Sequence, residues 1–401
     1  MTQAHPLDVL RRRGSEKWTT YPDDVLPMFV AEMDYPLAPA IAAALREAVD
    51  RGDTGYAPAS GGGVPEAFAA YAADAWGWSP DPARMRTTTD VSVVIVETLR
   101  RLVAPGQGVV ITPPVYPPFF DLVPEAGGTV VEVPLLDDGG THRLDLDGID
   151  AALASGAARG VLLCHPHNPL GLVHDRADLV ALAEVVQRRG GFVVSDEIHA
   201  PLTHAGRPFT PYLTVSDAAR AHGIAAESGS KAFNLAGLKC ALVVADGGPM
   251  ADLVHELPEE VTGRTGHLGA IATRVGFTDG RDSLRETVAA VEQNADLLGA
   301  LLAERLPQVG FRRPAASYLA WLDLSALGWG DDPAARVLAD ARVALTSGPA
   351  FGPQGAGHAR LNLACSPEVL TEAVDRIARA AGAPAPAPRE GTRAEGGLRT
   401  A

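Results

Sequence analysis

Residues 159–197 read RGVLLCHPHNPLGLVHDRADLVALAEVVQRRGGFVVSDE, and this stretch decides the fold. It begins and ends with short apolar runs, RGVLLCHP (159–166) and GFVVSDE (191–197), of the kind that form buried strands. Between them, DRADLVALAEVVQRR (175–189) repeats its apolar residues with the period of an amphipathic helix. A strand, a helix and a second strand at this spacing predict a crossover connection between parallel strands.

The same alternation continues along the chain on both sides of this unit. Further apolar runs predict strands at GVVIT (108–112), TVVEV (129–133), GIAAESGS (223–230) and KCALVVAD (239–246), and we expect the first two to be buried. Together the runs predict an α/β fold with a mainly parallel sheet and helices on both faces. In such sheets, ligands bind beyond the carboxyl ends of the strands.

The domain boundaries are placed where this alternation starts and stops. We expect three structured parts and a tail: an N-terminal segment that contributes to a small domain (1–45), a large domain (46–280), the C-terminal part of the small α+β domain (281–382), and a tail (383–401). Within the small domain, the sequence predicts a long helix (281–306), strands at SYLAWLDL and HARLNLA, and helices near 331–341 and 367–381. The tail is rich in Ala, Pro, Gly and Arg, which predicts disorder.

Composition excludes several classes of protein. The chain has 401 residues and a formal net charge of −15, which argues against a nucleic-acid partner. Cys164, Cys240 and Cys365 lack the spacing of a metal site or a disulfide framework, so we expect buried core thiols, no metal and a reducing compartment. The N-terminus lacks a secretory apolar core, and no apolar run is long enough to span a membrane. We therefore expect a cytoplasmic protein.

Lysine placement gives the first indication of chemistry. The chain has only three lysines among its 34 basic residues, and two of them, Lys231 and Lys239, lie in SGSKAFNLAGLK (228–239). Arg stays protonated at working pH, whereas Lys can lose its proton when its pKa is lowered. An amine that must form a Schiff base therefore has to be Lys. The alternative is that two surface lysines lie together by chance.

Polar residues follow three successive predicted strands. Asn168 comes after the first strand, Asp196 after the second, and Ser228, Ser230 and Lys231 after the third. Taken singly, these residues could be a turn, a helix N-cap and a solvated loop. Together they place an amide, a carboxylate, hydroxyls and an amine at the edge of the sheet where ligands bind.

These residues carry a resemblance to a known family. S-x-S-K, followed by G-L and a basic residue eight positions after the Lys, resembles the fold-type I pyridoxal-phosphate (PLP) enzymes of the class I/II aminotransferase superfamily, over roughly residues 5–382. LPMFVAEMDYPLAPAI (26–41), DEIH (196–199) and SGSKAFNLAGL are similar to the MalY/PatB-type C–S β-lyases, which are cystathionine β-lyase-like. Ordinary aminotransferases more often carry Tyr where His199 stands. The resemblance implies a large PLP-binding domain whose sheet has seven strands.

The resemblance also implies roles for the residues around the cofactor ring. Lys231 would bind PLP covalently and later act as the base at the substrate Cα. Asp196 would pair with the ring nitrogen, Asn168 would donate to the ring 3-oxygen, and His199 would belong to the cofactor site. Tyr116 occupies the position of the aromatic residue that stacks on the ring. The alternative for Tyr116 is ordinary loop packing.

The phosphate would be held by a second group of residues. Ser228 and Lys239 match the hydroxyl and the basic residue of the family's phosphate site, although Arg is more usual at position 239, and Ser230 would also belong to the cofactor site. The other half is predicted from TTTDVSVVIVETL (87–99), whose helix N-terminus at Val91 would offer amides, with Ser92 as the hydroxyl contact. Asp90 stands where a small residue is common. We expect Asp90 to be an N-cap that is turned away from the phosphate.

The remaining predicted residues concern the substrate and the subunit interface. Arg360, in HARLNLACSP (358–367), matches the Arg that binds the substrate α-carboxylate, and Ala31 and Glu32 lie in the segment that lines the substrate pocket. Tyr56 resembles the Tyr that crosses a dimer interface to the partner's cofactor and substrate, and its alternative is a turn aromatic. Lys17 is expected to be structural.

The sequence therefore predicts a homodimeric PLP enzyme with shared active sites. It would cleave an L-cysteine S-conjugate or a cystathionine-like thioether to a thiol, pyruvate and ammonia, with catalysis by Lys231 and Tyr116. The alternatives are an aminotransferase, a decarboxylating or oxidative PLP enzyme on the same scaffold, and a catalytically inactive PLP fold with a regulatory role.

Overall fold

A seven-stranded sheet organises the larger part of the chain. The computed structural model describes residues 2–382. Its strands are β1 (Leu26–Pro27), β2 (Met85–Thr88), β3 (Gly108–Ile111), β4 (Thr129–Glu132), β5 (Leu136–Asp137), β6 (His142–Arg143), β7 (Gly160–Cys164), β8 (Phe192–Asp196), β9 (Gly223–Glu227), β10 (Ala241–Val244), β11 (Gly310–Phe311), β12 (Leu319–Asp323), β13 (Val343–Ala344), β14 (Thr346–Ser347) and β15 (His358–Asn362). The large sheet has the order β2-β10-β9-β8-β7-β3-β4, with β10 antiparallel to both of its neighbours and the other pairs parallel.

Helices cover both faces of this sheet and complete the smaller domain. They are α1 (Leu7–Leu10), α2 (Glu16–Thr19), α3 (Pro39–Asp50), α4 (Val64–Trp76), α5 (Val91–Leu102), α6 (Phe119–Glu125), α7 (Leu146–Ala154), α8 (Arg176–Arg188), α9 (Asp217–His222), α10 (Gly229–Ala232), α11 (Gly248–His255), α12 (Glu259–Thr262), α13 (His267–Asp279), α14 (Arg281–Arg305), α15 (Pro333–Arg336) and α16 (Pro367–Ala380). None of the helices in residues 2–382 combines the length and apolar character that a membrane crossing requires.

The strand–helix–strand unit of residues 159–197 forms as predicted. The strands β7 and β8 are buried at every residue, and α8 connects them as a crossover. Both strands are buried because the parallel sheet has helices on its two faces, so each run must be apolar on both sides. The predicted α/β fold, with a large mainly parallel sheet between helices, is confirmed.

One strand differs from its prediction. The run TVVEV forms β4, but β4 lies at the edge of the sheet and its residues are exposed or half-buried. An edge strand packs against one neighbour only, so its apolar residues are covered on fewer sides than those of a central strand. The expectation that this strand is buried is wrong, whereas β3 is buried throughout.

The small domain draws on both ends of the chain. Its sheet has the order β11-β12-β15-β14, and the separate pair formed by β1 and β13 joins the N-terminal segment to the C-terminal part. The predicted long helix is α14, and it packs against α16. The helix expected near 331–341 is α15 followed by a π-helical turn, Val337–Ala341. The domain boundaries at 45 and 280 stay a prediction, and the tail expected to be disordered lies outside the described residues.

Candidate active site

A cavity of about 410 Å³ opens at the carboxyl ends of β7 and β8. Because parallel strands end at the same edge, the residues that follow them converge there. Eleven of the predicted site residues line the cavity: Ala31, Val91, Ser92, Tyr116, Asn168, Asp196, His199, Ser230, Lys231, Lys239 and Arg360. In residues 2–382 there is no cluster of His, Cys, Asp or Glu that could hold a metal ion.

Lys231 presents its amine to the floor of this cavity. It lies in α10, immediately after β9, and its Nζ donates a hydrogen bond of 3.2 Å to the carbonyl oxygen of Ala31. Burial, with the nearby Arg360 guanidinium, lowers the pKa of Lys231 to about 8, while Glu32 and Asp196 act in the opposite direction. A lysine in this state has a substantial neutral fraction near neutral pH, which is what an attacking amine requires.

Asp196 is the buried carboxylate of the site. It ends β8, and one of its oxygens accepts a hydrogen bond of 3.2 Å from the backbone N–H of Ile198. Burial raises the pKa of Asp196 to about 7 against the opposing effects of that N–H and of Lys231. A cationic N–H donor placed beside Asp196 would favour the charged carboxylate and form a charge-assisted hydrogen bond.

Arg360 is held in place by three acceptors, and one of its three nitrogens has no partner in the described part of the chain. Its guanidinium donates to Asn168 Oδ1 at 3.0 Å, to the carbonyl of Phe29 at 3.0 Å and to Thr346 Oγ1 at 3.2 Å. The Nε of Arg360 is buried and has no partner among the described residues. A buried N–H without an acceptor is costly, so Nε marks the side of Arg360 on which an acceptor is lacking. The contact also occupies Asn168 Oδ1, which leaves the amide NH₂ of Asn168 as a donor.

His199 is a neutral, oriented ring in the cavity wall. Its Nδ1 lies 3.0 Å from the hydroxyl of Ser317, and its ring meets Tyr318 edge-on at a centroid distance of 6.2 Å. Burial lowers the pKa of His199 to about 3, helped by the positive charges of Lys231 and Arg360. His199 therefore stays neutral at working pH. No sequence motif pointed to Ser317, which comes from the small domain.

Tyr116 stands on the loop after β3 and forms another wall. Its ring packs edge-to-face against Phe119 at 5.8 Å. Burial raises the pKa of Tyr116 to about 12, with a further contribution from Asp196, so its hydroxyl stays protonated. The position is compatible with stacking on a planar ligand, and the stacking itself stays a prediction.

The end of the cavity near α5 carries the predicted phosphate residues. Val91 and Ser92 begin α5, and Asp90 is its N-cap, with Oδ1 accepting a hydrogen bond of 3.0 Å from Val93 N–H. The Oδ2 of Asp90 lies 3.2 Å from Lys239 Nζ. The N-cap role of Asp90 is confirmed, but the expectation that its side chain is turned away is wrong, because Asp90 lines the cavity and holds Lys239.

The two serines of the S-x-S-K motif have different environments. Ser228 is the N-cap of α10: its hydroxyl accepts from Ser230 N–H at 3.0 Å and donates to the carbonyl of Cys240 at 2.7 Å. Ser230 lines the cavity, and its own hydroxyl lies 2.7 Å from that of Ser228. Ser228 is not among the lining residues. Its contact with phosphate stays a prediction, while Ser230 is the hydroxyl with access.

Two further predicted residues lie away from the cavity wall. Tyr56 is 97% exposed on this single chain, so its predicted role at a partner's site stays a prediction. Lys17 is buried, and its Nζ pairs with Asp34 Oδ1 at 2.8 Å and donates to the carbonyl of Glu32 at 3.3 Å. These contacts agree with the structural role expected for Lys17. The three cysteines are buried free thiols, as expected.

Comparison with known proteins decides the family. A model of the family described as aminotransferase class I and II matches residues 24–377. The chain belongs to the aminotransferase class I and II family. A "Putative cystathionine beta-lyase" of Mycobacterium tuberculosis is 44% identical over 93% of this chain and 96% of its own length. Cystathionine beta-lyase PatB of Bacillus subtilis is 33% identical over 88% of this chain and 92% of its own length.

A solved structure agrees with these relatives. The crystal structure of a "putative plp-dependent beta-cystathionase" from Corynebacterium diphtheriae matches this aminotransferase-family fold with a TM-score of 0.89 and 33% identity, over 95% of this chain and 99% of the other. The predicted resemblance to the PLP-dependent C–S lyases is confirmed. At the level of reaction class, the interpretation as a PLP-dependent carbon–sulfur lyase is also confirmed.

The residues of the cavity fit pyridoxal phosphate, the cofactor of this family. Lys231 supplies an amine of lowered pKa, and Asp196 is a buried carboxylate with room for an N–H donor. The N-terminus of α5 and Lys239 suit an anion at the far end. Asp90, which pairs with Lys239 there, carries a charge that opposes a phosphate.

Proposed function

We propose that this enzyme cleaves the C–S bond of an L-cysteine S-conjugate or of a cystathionine-like thioether, releasing a thiol, pyruvate and ammonia. The proposal rests on Lys231 and Arg360, which line one cavity whose walls include Phe29 and Ile198. An amine, a carboxylate receptor and apolar walls suit an amino acid with a thioether side chain. The names of the full-length relatives support the same reaction.

Each residue has a defined task in this reaction. Pyridoxal phosphate, when bound, supplies an electron sink for negative charge at the substrate Cα. Arg360 would bind the substrate α-carboxylate, using Nε and the edge that Asn168 and Phe29 already orient. Lys231 would take the Cα proton on Nζ, for which a pKa near neutrality is suitable. Asp196 would keep a proton on the ring nitrogen of the cofactor.

The overall reaction balances with water as the second substrate. The C–S bond at Cβ breaks, the sulfur leaves with the electron pair and gains a proton, and the carbon skeleton loses its amine as ammonia. Water supplies the oxygen of the pyruvate carbonyl. No external oxidant, reductant or keto acid is consumed, which separates this reaction from transamination.

The test uses the purified holoenzyme with L-cystathionine and with S-methyl-L-cysteine, in the absence of any keto acid. We expect equal amounts of free thiol and pyruvate, and neither product from a Lys231→Ala variant. Pyruvate without thiol, or no product until a keto acid is added, would contradict the proposal. The second result would favour the aminotransferase alternative.

We further propose a homodimer with shared active sites in the cytoplasm. An aromatic ring that is 97% exposed, as Tyr56 is, is unusual for a lone chain and suits a residue that contacts a partner. Mixing Tyr56→Phe and Lys231→Ala subunits should restore activity, because one site of each mixed dimer then has both native residues. Activity that does not rise on mixing would argue against shared sites. The buried free thiols suit the cytoplasm, and cell fractionation tests that location.

A further inference from the structure

The salt bridge between Asp90 and Lys239 lies at the end of the cavity where a phosphate would bind. The two side chains line the same cavity as Val91, Ser92 and Ser230, and their charged atoms are 3.2 Å apart. Lys239 is half-exposed, with 55% of its side chain accessible, and Asp90 has 33% accessible. An ion pair this exposed contributes little to folding, so its position in the cavity is the feature that needs an explanation.

The Asp90 carboxylate is fixed on two sides. Its Oδ1 accepts from the N–H of Val93, which satisfies one of the free donors at the start of α5. Its Oδ2 faces Lys239. The cap keeps the negative charge at the helix N-terminus, which is the place where a bound anion would otherwise gain most from the helix dipole. The carboxylate of Asp90 therefore occupies the N-terminus of α5, a position that could otherwise bind an external anion.

We propose that Asp90 weakens the hold of this enzyme on the phosphate of its cofactor, by neutralising Lys239 and by repelling the phosphate. With PLP in the cavity, Lys239 would pair with the phosphate in place of Asp90, and Asp90 would keep its cap on Val93. The remaining repulsion lies between two anions at one helix end. The cofactor is then retained mainly by Lys231 and the ring contacts, and only to a lesser extent by the phosphate group.

This inference rests on PLP as the cofactor and is independent of the bond that the enzyme breaks. Its test is therefore a binding measurement on the apoenzyme. Apoprotein is titrated with PLP and, separately, with pyridoxal, which has the same ring and aldehyde but no phosphate. Visible absorption of the bound ring gives both dissociation constants, and dilution of the loaded protein gives the release rate of PLP.

The informative variant is Asp90→Asn. Asn caps a helix about as well as Asp, so the substitution removes the charge and keeps the hydrogen bond to Val93. The matched control is Asp145→Asn, because Asp145 caps α7 in the same way, with Oδ1 2.9 Å from the N–H of Gly148, and does not line the cavity. Asp90→Ser, which also preserves a cap, replaces the Asn variant if that variant fails to fold.

We expect Asp90→Asn to bind PLP at least about tenfold more tightly than the native chain, which corresponds to about 1.4 kcal/mol, and to release it more slowly. Pyridoxal affinity should not change, and Asp145→Asn should behave as the native chain does with both compounds. Unchanged or weaker PLP binding by Asp90→Asn overturns the inference. A parallel gain for pyridoxal also overturns it, since the charge would then act on the ring and not on the phosphate.

Discussion

Lys231 donates a hydrogen bond of 3.2 Å to the main-chain carbonyl of Ala31, in a segment 200 residues away. The hydroxyl of Tyr318 donates to the same oxygen at 2.8 Å. One carbonyl of the N-terminal segment therefore connects the reactive amine, on the large domain, to a buried tyrosine of the small domain. The position of the Lys231 amine depends on this segment as well as on α10.

Tyr318→Phe tests that connection. Loss of the hydroxyl leaves Lys231 as the remaining side-chain donor to the Ala31 carbonyl, and we expect the free energy of unfolding to fall by about 0.5–1.5 kcal/mol. Because the substitution also frees the segment that positions Lys231, kcat should fall as well. Tyr35→Phe is a suitable control, since its buried hydroxyl donates only a long bond of 3.4 Å to Cys365. Equal kcat in the native and Tyr318→Phe enzymes would contradict a positioning role.

Lys231→Arg removes the amine while it keeps the positive charge. A guanidinium stays protonated and cannot form a Schiff base, so we expect turnover to fall at least about 10³-fold and the visible absorption of the bound cofactor to be lost. The control is Lys239→Arg. This variant keeps the positive charge, which is the property that position 239 requires, and it should retain most of the activity. If both substitutions abolish turnover equally, the separate roles given to the two lysines are wrong.

The reaction of the apoenzyme with PLP should accelerate as the pH rises through about 8, where the pKa of Lys231 lies. The amine attacks in its neutral form, and burial lowers its pKa below the ordinary value of 10.5. In the unfolded chain Lys231 stays protonated up to about that ordinary value, so this group also makes stability increase with pH between the two values. Stopped-flow absorbance gives the pH profile. A rate that keeps rising up to about pH 10 would contradict the lowered pKa.

The sequence allowed much of the sheet to be predicted, and also the meeting of three polar residues in one cavity, for a physical reason. Apolar runs fix the strands, strand ends converge at one edge, and Asn168, Asp196 and Lys231 follow three such ends directly. The Asp90–Lys239 contact joins residues 149 apart, and the Arg360–Asn168 contact joins residues 192 apart. No local pattern encodes such pairs, so neither contact was predicted from the sequence.

The exposure of β4 could not be predicted from the sequence either, because an apolar run such as TVVEV fits a central strand and an edge strand equally well. The order of the strands in the sheet decides whether a strand is central or at the edge, and β4 is at the edge. The contacts of Ser317 with His199 and of Tyr318 with Ala31 were missed for a related reason. Both lie more than 100 residues along the chain from His199 and Ala31, and only the tertiary fold brings them together.

Lys17→Ala should destabilise the fold strongly, although Lys17 does not line the cavity. Lys17 and Asp34 are buried, with about 1% and 2% of their side chains exposed, so the substitution leaves an unpaired buried carboxylate. We expect the free energy of unfolding to fall by about 3–5 kcal/mol. The double variant Lys17→Met/Asp34→Leu should recover most of that loss. Arg12→Ala, which removes an exposed pair with Asp8, is the control, and its effect should stay below about 1 kcal/mol.

Arg360→Lys tests whether the geometry of the guanidinium or only its charge binds the substrate. Arg360 donates to Asn168, Phe29 and Thr346 from a planar guanidinium, whereas an ammonium group cannot reproduce this geometry. We expect KM for the thioether to rise at least about tenfold, which corresponds to about 1.4 kcal/mol, with a smaller change in kcat. The visible spectrum of the bound cofactor should stay intact, because Lys231 and Asp196 are unchanged. An unaltered KM would mean that the substrate carboxylate binds elsewhere, and a lost spectrum would place Arg360 in the cofactor site.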